Sequence, residues 1–156
     1  MPKLLKIITH PNDILQKKSQ EILQEVIRSK EFQILCDDMF ETMIKKDGIG
    51  LAAPQVGKNI RLTIINSREG PLYVINPRII KKSWSKEWGE EGCLSVPSVF
   101  GKVKRNLKIT CVYTDRNGKK IKISPKGLMA RVFQHEIDHL DGILFIEKAK
   151  NIKNKK

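Results

Sequence analysis

Two histidines that bracket a glutamate are the strongest chemical signal in this sequence. His135 and His139 lie four residues apart with Glu136 between them, and the chain has only three histidines. On a helix, this spacing points both imidazoles from one face, about one turn apart, so that they can bind one metal ion. The glutamate can then accept a proton from a water molecule at the metal and deliver it to a leaving group. The pattern predicts the catalytic metal site of a hydrolase.

The third metal ligand is not fixed by this motif. Catalytic sites of this kind usually have three protein ligands and one open position. A familiar extension, His-x-x-Gly-x-x-His, begins here with His139 and Gly142 but reaches Phe145, which cannot bind a metal. The metzincin pattern is therefore excluded. The remaining candidates are Glu147, Asp141, His10 and the cysteines.

The three cysteines differ in their predicted surroundings. Cys36 falls on the apolar face of a predicted helix and Cys111 lies in a predicted strand, so each is expected to be a small buried residue. Cys93 follows Gly92, which permits close backbone approach, and Pro97 keeps the residue before it extended. A fixed loop could therefore present Cys93 to a metal, which would hold it as a thiolate. From spacing alone, Cys93 as third ligand has about the same weight as all the other candidates taken together.

An amphipathic helix is predicted in the N-terminal part of the chain. Apolar residues recur at helical spacing, which indicates one buried face: Phe32, Leu35, Cys36, Met39, Phe40 and Met43. The helix is expected to start near Ile27 and to end near Asp47. Residues 48–57 follow with three glycines and a proline, which predicts a loop or an irregular strand.

Two hairpins are predicted in the middle of the chain. Residues 61–66 and 72–75 are β-branched runs separated by a Gly-Pro turn. Residues 107–114 and 119–123 flank Asn117-Gly118, a strong signal for a tight hairpin turn.

A second helix is predicted to carry the metal motif. Ser124 is expected to cap it, Pro125 to occupy its first turn and Gly142 to end it. The resulting prediction is an α+β fold, with mostly antiparallel strands packed around this C-terminal helix. Residues 1–147 are expected to form a single catalytic domain. The basic tail, 148–156, is expected to be a frayed, solvated end outside it.

Composition indicates a folded protein of the cytoplasm. The chain has 156 residues, of which 40% are hydrophobic and 30% charged, values typical of one globular domain. No run approaches the roughly 20 apolar residues that cross a bilayer, and the start lacks the pattern of a signal peptide. Three widely spaced cysteines suit a reducing compartment.

The net charge of +13 raises the question of nucleic-acid binding. Lysine and arginine are spread along the chain, as an AT-rich genome would also produce, and few aromatic residues lie among them. No specific nucleic acid is therefore expected as a partner. A transient contact of the tail with the ribosome is kept as an alternative.

Three ordered segments carry a more specific signal: Gly48-Ile49-Gly50-Leu51-Ala52-Ala53-Pro54-Gln55, Glu91-Gly92-Cys93-Leu94-Ser95 and Gln134-His135-Glu136-Ile137-Asp138-His139. They resemble, in order and spacing, the signature motifs of the peptide deformylases. Similarity continues from His10-Pro11 to Phe145 and so covers almost the whole chain. The resemblance implies removal of the N-formyl group from the N-terminal formylmethionine of newly synthesised proteins, with release of formate.

The same resemblance implies roles for individual residues. Cys93, His135 and His139 match the metal ligands, and Glu136 matches the general base and acid. The side-chain amide of Gln55 and the backbone N–H of Leu94 match the groups that stabilise the oxyanion. Four further positions match the substrate-binding region: Ile49, Gly50, Leu128 and Arg131.

The resemblance also concerns the metal and the substrate. It implies one divalent ion, with Fe²⁺ first and Zn²⁺, Ni²⁺ or Co²⁺ as substitutes, although softness and affinity order favour zinc for two imidazoles and a thiolate. The implied partners are N-formylmethionyl nascent peptides. Phe100 departs from the family, in which many members have arginine, and we expect altered contact with residues beyond the methionine.

Two other functions are compatible with the residues alone. A small metallopeptidase would use the same two-histidine helix with a carboxylate or a histidine as third ligand. A basic RNA- or ribosome-binding module would hold a structural metal in a closed site with four ligands.

Overall fold

Two antiparallel sheets and three α-helices make up the structure, a computed structural model that describes residues 1–155. In those residues, no helix is both long and apolar enough to cross a membrane. In chain order the elements are a 3-10 helix at Asp13–Gln16, α1 (Gln24–Ile27), α2 (Lys30–Lys45), β1 (Gly50–Ala52), a 3-10 helix at Ala53–Val56, β2 (Leu62–Ser67), β3 (Gly70–Lys82), β4 (Lys86–Cys93), β5 (Val96–Asn106), β6 (Ile109–Thr114), β7 (Lys120–Ile123), α3 (Leu128–Leu140), a 3-10 helix at Phe145–Glu147 and β8 (Lys150–Asn154).

The strands form one sheet in the order β1-β2-β3-β6-β7 and another in the order β4-β5-β8. Both predicted hairpins are confirmed, because β2 pairs with β3 and β6 pairs with β7. In the second hairpin, Asp115 accepts hydrogen bonds from the backbone of Asn117 and Lys119, and Gly118 adopts a φ of 82°. The Asn-Gly signal therefore acts as the sequence indicated.

The apolar faces of α2 and α3 build two neighbouring cores. Helix α2 buries Phe32, Cys36, Met39 and Met43 against β1 and β2. Helix α3 contacts β1 and β2 of one sheet and β5 of the other, with Phe133 fully buried. The predicted α+β class is confirmed: mostly antiparallel strands surround the C-terminal helix that carries the motif.

Both helices begin later than predicted. Helix α2 starts at Lys30, because Ser29 is its N-cap and accepts a hydrogen bond from the backbone N–H of Phe32 at 3.2 Å. The predicted start near Ile27 is wrong, since that residue ends the separate turn α1. The predicted end near Asp47 is close to the observed one at Lys45.

The predicted cap of the motif helix is also wrong. Ser124 hydrogen-bonds through its hydroxyl to Thr110, and the carbonyl of Pro125 accepts from the backbone of Ile109, so both residues bind the sheet. Helix α3 begins after Gly127, whose φ of 63° favours glycine. Its end agrees with the prediction, since Gly142 follows it with a φ of 77°.

The described part of the basic tail contains a strand, β8, and is not a frayed end. Residues of β8 pair with β5, from Lys150 opposite Lys102 to Asn154 opposite Val99. Without β8, the backbone groups along that edge of β5 would lack partners, which is the physical reason for the pairing. The β8 side chains are all exposed. Lys156 lies outside the described residues, and the division of the chain at residue 147 stays a prediction.

Truncation after Ala149 tests the pairing of β8 in solution. The loss of a few backbone hydrogen bonds, each worth about 1 kcal/mol, should lower the thermal unfolding midpoint by about 3–10 °C. Circular dichroism at 222 nm measures the midpoint. An unchanged midpoint would mean that β8 contributes no stable pairing.

Candidate metal centre

Three side chains converge at the meeting point of α3 and β4. The ligand atoms of Cys93, His135 and His139 lie within 4.8 Å of one another, and Cys93 Sγ is 3.2 Å from His139 Nε2. Helix α3 presents both imidazoles, and the thiol comes from the last residue of β4, where the pairing with β5 shifts register. The predicted loop position of Cys93 is therefore wrong, but its predicted neighbours are correct. This donor set suits a transition metal held about 2.0–2.3 Å from each ligand.

The protonation chemistry of the two imidazoles fits such an ion. Burial holds the pKa of His139 well below 6.5, so its imidazole is neutral, the form that binds metals. Burial also disfavours a charge on His135, but interactions with Cys93 and Glu91 raise its pKa to about 10. A metal ion held here would take the place of that proton, because a nitrogen that carries a proton has no free lone pair. The set could hold a metal, and the geometry does not identify the element.

The rival third ligands are engaged elsewhere. Glu147 accepts a hydrogen bond from the backbone of Leu144 at 2.7 Å. Asp141 forms an ion pair with Arg61 at 3.0 Å. His10 is exposed, and none of the three belongs to the cluster.

The other two cysteines fill the cores, as predicted. Cys36 and Cys111 are fully buried, one in each of the cores under α2 and α3. Burial raises the pKa of Cys36 to about 12 and that of Cys111 to about 11, so both remain thiols. Neither is a metal ligand here.

Glu136 is buried beside the cluster. One carboxylate oxygen lies 3.9 Å from His135 Nε2, and the other accepts a hydrogen bond from the Thr63 hydroxyl at 3.4 Å. Burial raises the pKa of Glu136 to about 7, although His135 and Thr63 oppose the shift. A carboxylate with this pKa can both accept and return a proton near neutral pH.

Gln55 faces the cluster from the 3-10 helix Ala53–Val56. Its carbonyl oxygen accepts from the backbone N–H of Ala52 at 2.9 Å, which fixes the orientation of the amide. The amide nitrogen then donates to the Ser95 hydroxyl at 3.1 Å and points to Cys93 Sγ at 3.4 Å. Leu94 lies in the turn between β4 and β5 and lines the same pocket.

Glu91 orients His135, a role that the sequence reasoning missed. Its carboxylate is 2.8 Å from His135 Nδ1 and accepts two hydrogen bonds from Arg105 at 3.0 Å and one from Arg131 at 2.7 Å. Burial opposes a charge on Glu91, yet the bonds from His135 and Arg105 hold its pKa well below the ordinary value. With its Nδ1 proton directed to Glu91, His135 would present Nε2 to a metal ion that displaces the second proton. The Glu91 motif was visible in the sequence, but no spacing rule indicated Arg105.

A pocket of about 570 Å³ opens beside the cluster. Ile49 and Leu128 line it and are exposed at 50% and 67%, so both lie at its rim. Phe100 also lines it, and its ring lies over Gly92, where a Cβ atom would come within 2.6 Å of the ring. The pocket lining combines apolar side chains with a few polar groups, as small-molecule and peptide sites do.

Arg131 lines this pocket but is bound on its inner side. Its guanidinium donates to Glu91 and to the carbonyls of Val103 and Glu87 at 2.7–2.8 Å. It crosses β4 at Gly89, where a Cβ atom would lie 2.8 Å from its Cζ. These contacts make Arg131 a wall of the pocket that holds Glu91 in place, and its predicted substrate contact stays a prediction.

The fold and the cluster together define a class of protein, a small protein with a candidate metal centre in an antiparallel α+β frame. A family model described as polypeptide deformylase matches residues 4–155. A peptide deformylase of Symbiobacterium thermophilum is 45% identical over 154 residues, which cover 96% of this chain and 69% of the relative. One of Syntrophomonas wolfei is 44% identical over 144 residues, 92% of either protein. The chain belongs to the peptide deformylase family, whose members are hydrolases.

Solved structures are similar over nearly the whole chain. The crystal structure of a peptide deformylase from Thermotoga maritima has a TM-score of 0.90 at 35% identity, covering 94% of this chain and 98% of that one. A class I type b peptide deformylase from Acinetobacter baumannii, bound to Met-Ala-Ser, has a TM-score of 0.91 at 34% identity, covering 95% and 99%. The fold therefore agrees with that of the family.

Replacing Glu91 with Gln tests how His135 is oriented. The change keeps the shape but removes the charge that binds His135, Arg105 and Arg131, so zinc affinity should fall by about 10- to 100-fold. Titration against a competing chelator measures this affinity. The matched control is Glu90→Gln, one residue earlier and half-exposed, which should change affinity less than about twofold. Equal affinity in both variants would contradict the assignment.

Replacing Gly50 with Ala tests the close approach to Glu136. The added Cβ would lie 2.7 Å from a Glu136 carboxylate oxygen, so the carboxylate must move. A displacement of this carboxylate by about 1 Å should lower kcat for hydrolysis by about 100-fold, while the metal content stays unchanged. Gly48→Ala is the control, since the tightest contact of its Cβ is the end of the Leu94 side chain at 3.2 Å, and Gly50 O and Met43 Cγ lie at an ordinary 3.4 Å. Full activity of the Gly50 variant would contradict the proposed position of the base.

Proposed function

We propose that this chain removes the formyl group from the N-terminal formylmethionine of newly synthesised proteins and releases formate. The observation that carries the proposal is the convergence of Cys93, His135 and His139 with Glu136 and Gln55 at one end of an apolar pocket. A relative of the same fold binds Met-Ala-Ser, a peptide that begins with methionine. The pocket of this chain could receive a peptide of that class.

Each residue of the cluster has a proposed part in the reaction. When held by Cys93, His135 and His139, a divalent ion supplies Lewis-acid chemistry, which polarises the formyl carbonyl and acidifies water. Glu136 accepts the proton of the attacking water at its carboxylate and delivers it to the amine that leaves. Its pKa of about 7 suits both transfers.

Gln55 and Leu94 act on the charge that forms during attack. The Gln55 amide is held by Ala52 and by Ser95, so the N–H that points to Cys93 is already oriented toward the cluster, where negative charge develops on the formyl oxygen. The backbone N–H of Leu94 is the proposed second donor. Donors that are already oriented in a site with little water commonly lower the activation free energy of such reactions by several kcal/mol.

Substrate binding is proposed for the rim and the walls of the pocket. Ile49 and Leu128 present apolar surface to the methionine side chain, and Gly50 leaves room for the reacting group beside Glu136. Arg131 closes the wall through its bonds to β4 and β5. Phe100, at a position where the family resemblance implies arginine, offers an aromatic ring to residues that follow the methionine.

The remaining assignments come from the resemblance and from composition. Fe²⁺ is the proposed native ion, with Zn²⁺, Ni²⁺ or Co²⁺ as substitutes, and N-formylmethionyl nascent peptides are the proposed substrates. We place the reaction in the cytoplasm. A transient ribosome contact through the basic tail is part of the same proposal, and its exposed lysines support it.

One assay tests the proposal and the role of Glu136 together. Protein purified without oxygen should release formate from formyl-Met-Ala-Ser, and a chelator should abolish the release. Glu136→Gln should retain the metal but lose at least about 100-fold in kcat, because the variant lacks the carboxylate that accepts and delivers the proton. Glu25→Gln, an exposed substitution on α1, serves as the control.

Different results of this assay would contradict different parts of the proposal. Formate release that resists chelation, or the absence of any release, would contradict the proposed function. An active Glu136→Gln variant would contradict only the role of that residue.

A further inference from the structure

A second groove lies apart from the metal centre. It has a volume of about 1020 Å³ and is lined by residues of β3, β6 and β7, by the C-terminal end of α3 and by the segment before α1. Within residues 1–155, it shares no lining residue with the pocket beside the cluster. Changes in this groove can therefore be separated from changes in the reaction.

The charges that line this groove are unbalanced. Two of its acidic residues are already neutralised: Asp138 on α3 by Arg105 and Lys148, and Asp141, which follows α3, by Arg61. One other carboxylate, Glu21, remains. Five cations have no ion-pair partner within residues 1–155: Lys18, Arg78, Lys82, Lys120 and Lys122.

These cations differ from the other positive charges of the chain because they line one groove. The net charge of +13 is distributed over the whole chain, but here cations from β3, β7 and the segment before α1 face one concave volume. A cleft lined by charges of one sign and bounded by protein concentrates their field and attracts counter-ions. A flexible polyanion gains most from such an arrangement, because it can bring several negative groups into the groove.

An exposed aromatic residue follows Lys82, a residue that lines the groove. Trp84 is fully exposed, at 100%, and follows Lys82 by two residues, so that the two Cα atoms are at most about 7 Å apart. The loop that carries it is fixed, since the backbone N–H of Ser83 donates to Lys108 and the carbonyl of Ser85 accepts from Leu107. A fixed loop thus holds a bare indole in water, with no core contact to account for it.

We propose that this groove and Trp84 together bind single-stranded RNA without sequence preference. The unpaired lysines and Arg78 contact the phosphates, and the Trp84 indole stacks on an unpaired base. Basic grooves that follow the backbone and aromatic platforms that take bases are the two parts of such sites. Trp84 favours RNA over an acidic protein segment, because a run of carboxylates offers no flat ring for the indole to cover.

Binding of a labelled 12-nucleotide oligouridine to the full chain, followed by fluorescence anisotropy at several KCl concentrations, tests the proposal. Lys120→Gln with Lys122→Gln should weaken binding about tenfold and reduce the slope of log K against log salt by about 1.4, or 0.7 for each lost contact. The matched control is Lys102→Gln with Lys104→Gln, two exposed lysines with the same spacing on β5. It should change affinity less than about twofold.

Trp84→Ala separates RNA from an acidic partner. Loss of one stacked base should weaken oligouridine binding by about tenfold and leave the binding of a 12-residue oligoglutamate unchanged. Formate release from formyl-Met-Ala-Ser should be unaffected in every variant, which shows that each one folds. Equal weakening by the two lysine pairs, or no binding of oligouridine at 50 mM KCl, would overturn the proposal. Tight oligoglutamate binding with no effect of Trp84→Ala would overturn it in favour of an acidic protein partner.

Discussion

The site depends on the hydrogen bonds and ion pairs of one buried carboxylate, that of Glu91. It joins a strand of the three-stranded sheet to the motif helix through His135, and to a neighbouring strand through Arg105. A buried charge is costly unless it is paired and hydrogen-bonded, and here guanidinium and imidazole groups supply both conditions. Arg105 also binds Asp138 on the next turn of α3, so the same guanidinium holds α3 at one rotation about its axis. The position of the thiol relative to the imidazoles follows from this arrangement.

Local rules in the sequence predicted the parts of the fold that local interactions determine. The Asn-Gly turn at 117–118 and the apolar face of α2 depend on residues close in sequence, and both were predicted. The strands β4 and β8 were not predicted, because β4 is rich in charge and glycine and β8 in lysine and asparagine. Pairing with β5 rather than propensity makes both strands extended. The start of α3 was misplaced for a similar reason, since Ser124 binds Thr110 instead of a helix terminus.

The candidate site shows the same division. The two histidines and the glutamate lie on one helix, so their spacing in the sequence was sufficient to place them together. Cys93 is far from them in sequence, and chemistry left it level with other candidates until the family resemblance was considered. The contacts of Arg131 were not foreseen, because a guanidinium that crosses a strand at Gly89 requires knowledge of the packing between α3 and β4.

The strand β8 gives the end of the chain an unexpected position. Lys155 lies over the Phe100 ring with its ammonium group 4.9 Å from the ring centre, and it also pairs with Glu90, so the last described residue contacts two residues of the pocket wall. A single substitution at Lys155 would therefore alter the wall of the pocket as well as the edge of the sheet, although the residue is far from the metal motif in sequence.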